Sequence, residues 1–255
     1  MSLSNAEHLV RPGPPAARTT DGRGVLEGAF SLLEAVERAG GAGLTRLASD
    51  SGLPKATAHR LLGQLAELGA IERRGDRYRI GSRIFRLGHG WQAHPRLLGA
   101  ARGPVRRLAG ATGATVSVNV LREGRTMVVA AVPGEVDEIV PVRPGALYPW
   151  STAAGKVIVA GARPGLPLDP LPPSWAADAE TIRDRGVAFD HEETVAGVSC
   201  VAVPLYGSGP SPTASLSVVT DASSPVARLA DTVAQAGRAV SAALRPRGPG
   251  VVRVS

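Results

Sequence analysis

From Gly24 onward, apolar residues recur at spacings of three and four. Val25, Ala29, Leu32, Leu33 and Val36 share one face and predict a helix that the glycine-rich run at 40–43 ends. Leu44, Leu47 and Ala48 predict a second, short helix. Ser51-Gly52-Leu53-Pro54 then reads as a tight turn, with Pro54 in the first turn of a third helix, where its missing N–H has no intrahelical partner to lose. The third helix runs to about Leu68, with Gly69 just past its end. Its inward face is Leu61, Leu62, Leu65 and Leu68, and its outward face is Ala56, His59, Arg60, Gly63 and Glu67. Two alternating runs, Ile71–Arg74 and Arg77–Ile80, flank Gly75-Asp76 and predict a β-hairpin. Helix, helix, turn, helix, hairpin is the order of a winged helix-turn-helix. Residues 82–97 predict a helix leading out, interrupted by Gly88 and Gly90.

The second half is patterned differently. A basic helix is expected over Pro95–Ala111, then a hairpin of Thr115–Leu121 and Arg125–Val132 around Glu123-Gly124, and a third strand at Glu138–Val142. Ser151–Ala160 and Ala177–Arg185 read as helices, separated by a Pro-rich loop at 162–173. Cys200–Leu205 and Ser215–Thr220 read as strands, and Pro225–Leu244 as a closing amphipathic helix. Such mixing fits an α+β sensor-like domain. The polar, Pro/Gly-rich residues 1–22 are expected to be a disordered lead and 245–255 a mobile tail.

Composition narrows the function. The 255 residues are 44% hydrophobic but only 4% aromatic, so the core must be built from Ala, Val, Leu and Ile. One cysteine, Cys200, excludes an internal disulfide and a Cys-based zinc cluster, and suits a reducing cytoplasm. No apolar stretch approaches the ~18 residues of a membrane span, and the N-terminus lacks the apolar core of a secretory signal. Of a net charge of +7, an excess of five lies between Pro54 and Arg86, where eight basic residues face three acidic ones. Basic residues gain affinity for a duplex by releasing its counterions, and a recognition helix enters the major groove by its N-terminal part. Lys55, Ala56, Thr57, His59 and Arg60 are therefore the expected groove contacts. Arg60 is placed to pair with guanine, and Arg74, Arg77 and Arg79 on the wing to meet phosphates.

At these residues the chain resembles the IclR family of bacterial transcription regulators. The likeness rests on LASDSGLPKATAHRLLGQLAELGAIERRGDRYRIGSRIFRLG at 47–88, STAAGKVIVA at 151–160, RDRGVAFDHEETVAGVSCVAVPL at 183–205 and ASLSV at 214–218. The resemblance implies an α+β protein in which an N-terminal winged helix-turn-helix domain (23–81) is joined by a linker helix (82–97) to a C-terminal GAF-like effector-binding domain (98–244). It also implies a homodimer or homotetramer on a pseudo-palindromic double-stranded DNA operator, and a small effector that is an organic acid or aromatic metabolite. The family's effector positions match Leu147, Ala153, Ala154, Asp190, Val198, Cys200 and Ser217, and Trp150 is expected to line or narrow the pocket. The second of two alternating serines found in some members is Val219 here, which points to a less polar effector.

Catalytic constellations are missing from the sequence. Gly155-Lys156 resembles the end of a phosphate loop, but Val157 follows it and Trp150 occupies the position of the upstream glycine. His191-Glu192-Glu193 lacks the second histidine of a zinc helix, and no Gly-x-Ser-x-Gly elbow is present. A His191–Cys200 thiolate pair has no third orienting group. No cofactor, metal or membrane partner is expected. Two other readings stay open at this point: a GAF-like sensor acting through protein contacts, and an enzyme with an accessory DNA-binding domain. The basic wing favours the regulator over the first, and the missing nucleophile–base set disfavours the second.

Overall fold

A computed structural model of the chain describes residues 24–91, 94, 96–162, 166, 168 and 171–245. The expected lead at 1–22 and the tail from 246 on lie outside the described residues. The rest falls into two compact units that divide at 92–93.

The first unit holds α1 (Val25–Arg38), β1 (Ala42–Gly43), α2 (Leu44–Ser51), α3 (Lys55–Glu67), β2 (Ile71–Arg74), β3 (Arg77–Ile80) and α4 (Ser82–Gly88). Its core is Leu32, Ala35 and Val36 of α1, Leu47 and Ala48 of α2, and Ala58, Leu61, Leu62 and Leu65 of α3, closed by Ile71 and Tyr78 of the hairpin. Gly28 sits inward on α1, where an added Cβ would lie 3.2 Å from Leu61 Cδ1, so the helices meet closely there. Val25 and Leu68, expected in the core, are exposed. The inward stripe of α1 runs instead through Gly28, Leu32, Ala35 and Val36, and Leu68 is already the C-cap of α3. α2 ends on Gly52, whose φ of 65° supplies the left-handed residue that turns the chain towards α3. β2 and β3 pair antiparallel, closing at Arg74 opposite Arg77, and β1 adds a two-residue strand on the free side of β3. Gly75 takes φ 64° at the first central position of the two-residue turn, a place that favours glycine.

The expected helix over 82–97 is not continuous. α4 stops at Gly88, with His89 as its C-cap, and the next helix begins at Leu97. Two glycines within three residues remove the side chains that favour helix propagation.

The second unit contains α5 (Leu97–Thr112), β4 (Thr115–Arg122), β5 (Arg125–Val132), β6 (Leu147–Pro149), α6 (Ala153–Gly161), α7 (Trp175–Arg185), β7 (Ala188–His191), β8 (Val198–Tyr206), β9 (Pro212–Asp221), a 3₁₀ turn (Val226–Leu229) and α8 (Ala230–Leu244). The strands form one antiparallel sheet in the order β6-β5-β4-β9-β8-β7. Val116, Val118 and Val120 of β4, with Leu216 and Val218 of β9, face a core shared with α5 and α8. The opposite face packs Val128, Cys200, Ala202 and Val219 against α6 and against Val136, Val140 and Val142 of the loop after β5. The third strand expected at Glu138–Val142 is this loop. Val140 and Val142 are buried without strand pairing, and the strand is Leu147–Pro149. β7, not expected from the pattern, forms the far edge of the sheet. The described residues of the Pro-rich stretch 162–173 include no helix or strand.

Candidate DNA interface and candidate effector cavity

In the first unit, the N-terminal part of α3 carries Lys55, Ala56, His59 and Arg60 exposed and Thr57 half-buried, while Ala58, Leu61 and Leu62 point inward. The Arg60 guanidinium donates to Gln64 Oε1 at 3.4 Å, one turn along the same exposed face. The wing is less free than its charge suggests. Arg77 Nη2 donates to the Gly41 carbonyl at 2.7 Å, tying the hairpin to the segment after α1. Arg73 Nε donates to Gly75 O at 3.0 Å across the turn, and its guanidinium lies 5.8 Å from the centre of the Tyr78 ring. Arg74 pairs with Glu72 at 3.6 Å. Arg83 Nη1 donates to Leu68 O at 2.8 Å, satisfying a carbonyl just past α3. Arg79 is exposed, with its stem along Gly41. Of the expected wing contacts, Arg77 thus has a structural bond of its own.

In the second unit, the α6 face of the sheet and two loops enclose a cavity of about 60 Å³. Strand alternation decides what faces it. Ser117 and Asn119 alternate with the valines of β4, and Ser217 and Val219 alternate with Leu216 and Val218 of β9. Register then sets two rows. Asp190 lies opposite Cys200, and Cys200 opposite Val219. Ala202 lies opposite Ser217, and Ser217 opposite Ser117. Thr126 and Val128 of β5, Tyr148 of β6, Thr152 and Ala154 at the start of α6, Val198 of β8, and Val140, Val142, Thr194 and Val195 from the loops complete the lining.

Of the expected effector residues, Ala154, Asp190, Val198, Cys200 and Ser217 line this cavity, and Leu147, Trp150 and Ala153 do not. Leu147 precedes Tyr148 on β6, and the pleat turns Tyr148 inward and Leu147 away. Ala153 is fully buried in the core of that face. The Trp150 ring packs edge-on against Trp175 of α7, with centroids 4.9 Å apart. The Trp150 carbonyl and the Thr126 hydroxyl approach Gly155 so closely that a Cβ there would collide with both. Ser117 and Asn119, missed in the sequence, had a signal there: polar residues alternating through a strand of valines. Thr126, Tyr148, Thr152 and the two loops had none.

The polar groups of the cavity are bonded to one another. Ser117 Oγ and Ser217 Oγ are 2.8 Å apart, Ser117 Oγ donates to Asn119 Oδ1 at 3.2 Å, and Asn119 Nδ2 donates to Ser217 Oγ at 3.0 Å. Asp190, only 4% exposed, accepts from Glu193 N at 3.0 Å and from Thr194 Oγ1 at 2.7 Å. Lys156 Nζ ties α6 to this loop through Glu193 Oε2 at 2.6 Å and Phe189 O at 3.1 Å. The Gly-Lys pair is thus a packing and tethering element.

Burial, reinforced by the Asp190 charge, raises the Cys200 thiol far above its ordinary value and keeps it protonated. His191 stacks on Phe189, at 5.8 Å between ring centroids, and alternates with Asp190 on β7, so it lies on the sheet face opposite Cys200. The imagined thiolate pair is therefore not assembled. Among the described residues no group of three His, Cys, Asp or Glu side chains is placed to hold a metal, and no helix is long and apolar enough to cross a membrane.

Comparison with known proteins agrees with this layout. The IclR helix-turn-helix domain model matches residues 25–75, and the model of the bacterial transcriptional regulator IclR C-terminal matches residues 172–243. The glycerol operon regulatory protein of Streptomyces coelicolor is 30% identical over 64% of this chain and 71% of its own. The chain belongs to the IclR family of transcriptional regulators. A further member, the regulator BhcR of Paracoccus denitrificans, is 27% identical over 93% of both chains. The crystal structure of an IclR homolog complexed with 4-hydroxybenzoate, from Microbacterium hydrocarbonoxydans, superposes with a TM-score of 0.70 at 23% identity, covering 87% of this chain and 99% of that one. That last likeness is one of fold.

Two outcomes are expected from this geometry. Arg60→Ala leaves the thermal midpoint unchanged and weakens DNA binding, whereas Arg77→Ala lowers the midpoint, because it strands the Gly41 carbonyl; a single unsatisfied group costs about 1–3 kcal/mol. Calorimetry beside a DNA titration separates the two. The raised thiol also sets a pH dependence. Above the ordinary cysteine value of 9.0, the unfolded chain gives up the Cys200 proton and the folded chain keeps it. Stability therefore falls as pH rises past that point, by about 1.4 kcal/mol per pH unit for this group. Tyr148, raised from 10.0 to about 12 by burial and the Asp137 charge, adds to the loss above pH 10. Cys200→Ala flattens the fall between pH 9 and 10, measured by urea denaturation.

Proposed function

We propose that this IclR-family regulator binds a pseudo-palindromic operator through α3 and the wing, and that a small organic effector in the second unit's cavity modulates that binding. The observation that carries the reading is the exposed face of α3, with Lys55, His59 and Arg60 held outward by inward-packed leucines. Lys55, Ala56, Thr57, His59 and Arg60 meet the major groove, while Arg74 and Arg79 meet phosphates. Arg77 acts chiefly by holding the wing that carries them.

One winged unit reads few bases, so specific binding requires two. The exposed apolar side chains of the first unit support self-association: Leu26 (77% exposed) and Phe30 (64%) are one turn apart on α1, and Phe85 (70%) and Leu87 (67%) lie on α4. We assign this surface to a second copy of the chain, giving a homodimer that can pair further into a tetramer. The protein acts on DNA in the cytoplasm, and the protonated Cys200 and misplaced His191 support a regulatory rather than an enzymatic role.

The cavity as it stands has room for a few waters. A larger occupant displaces the loop carrying Val140 and Val142 or the one carrying Thr194 and Val195. The Tyr148 hydroxyl donating to Pro141 O at 3.3 Å and the Lys156–Glu193 pair hold these loops closed. Ligand binding then competes with these ties, and the unequal affinity for open and closed arrangements is what lets it shift an equilibrium.

The test is titration of DNA from upstream of the protein's own gene, against scrambled DNA, across a salt series. Preferential binding whose affinity falls log-linearly with salt is expected, and equal binding to both DNAs sinks the operator reading. Replacing Leu26 and Phe30 together by Glu is expected to yield monomers in sedimentation velocity and to lower operator affinity at least about tenfold, since specific sites need two docked units.

A further inference from the structure

Every hydroxyl proton of the cavity wall is committed to the protein itself. Ser117 donates to Asn119 Oδ1, which leaves Ser217 as the donor to Ser117 Oγ, and the Asn119 amide donates back to Ser217. Thr126 and Thr152 both donate to Pro149 O, each at 3.2 Å. Tyr148 donates to Pro141 O and Thr194 to Asp190 Oδ2. What these oxygens have left to offer an occupant is lone pairs.

The charge points the same way. Asp190 is the single Asp, Glu, Lys, Arg or His in the lining. The nearby cation, Lys156, is paired with Glu193, so the set formed by Asp190, Glu193 and Lys156 carries one net negative charge. The start of α6 offers about half a positive charge at most, and the Thr152 hydroxyl already caps it by accepting from Gly155 N at 3.3 Å. A carboxylate buried here would meet acceptors and an anion, and no cation to offset its lost hydration.

We propose that the effector is a hydrogen-bond donor without a carboxylate: a phenol, alcohol, carboxamide or amine on an apolar body. Its donor faces the row of Asp190, Ser217 and Ser117, and its body packs on Val128, Val198 and Val219. This rests on the reading of the cavity as the effector site. Of the two classes that the family resemblance implies, it keeps the aromatic metabolites and excludes the organic acids.

The test uses matched probes on the full chain without DNA: benzoate against benzamide and benzylamine, 4-hydroxybenzoate against 4-hydroxybenzamide, and phenylacetate against phenylacetamide, by calorimetric titration. The expected result is that at least one amide or amine binds about tenfold or more tighter than its matched acid, as like charge and unmet donors dictate. Asp190→Asn should narrow that gap, and Ala154→Phe, which fills the cavity, should abolish binding. The proposal is overturned if the acids bind as tightly as their partners, if no amide or amine binds, or if binding survives Ala154→Phe. Should Asp190→Asn fail to fold, the wild-type comparison decides alone. An amide that binds without altering operator affinity would overturn the regulatory reading and leave this one standing.

Discussion

The central sheet of the second unit is covered on both faces, and that constraint governs most of what the unit can do. A strand with one wet face can leave a serine to water. Here Ser117, Asn119, Ser217 and Thr126 are all buried, so each must find its partner within the protein or lose the energy of its hydration. Ser117, Asn119 and Ser217 meet because β4 and β9 are in register, and Thr126 reaches the carbonyl of Pro149. The cavity exists where the apolar packing of that face is interrupted by this polar row, and its chemistry is the residue of those internal bonds. Ser215 is the exception: its hydroxyl is buried without a partner, and nothing in the structure explains it.

The same accounting divides the basic residues of the first unit. A cationic run invites the assumption that every member faces the duplex. Arg73, Arg77 and Arg83 instead satisfy backbone carbonyls at the turn, at the crossing to Gly41 and at the end of α3. A guanidinium has five donors, so holding a carbonyl and contributing positive potential are compatible. The arginines build the wing as well as charge it, whereas Lys55 and Arg60 on α3 have only short-range neighbours and stand out from the fold.

The α1–α4 pattern and the hairpin around Gly75-Asp76 were legible because each depends on local periodicity and turn chemistry. The failures have common causes. Val25 was assigned inward because its spacing allowed it, yet the docking of α2 and α3 places Gly28 and Leu32 at the contact and turns Val25 out. The stretch Glu138–Val142 looked like a strand because buried valines look alike whether or not their backbone is paired. Leu147 and Trp150 were placed in the pocket by resemblance, and the pleat of β6 and the Trp175 ring took them elsewhere.

The sequence by itself determined the two kinds of unit, the helix that presents Lys55 and Arg60, and the alternation that puts Ser217 and Cys200 on one face of neighbouring strands. These follow from periods of 3.6 and 2, which are properties of single elements. Tertiary structure alone decided which carbonyl each arginine reaches, which loops close the cavity, and that Asp190 sits there with no cation in the lining. Those are matters of register and of contacts between residues up to a hundred positions apart, such as Ser117 with Ser217, and no local pattern encodes them.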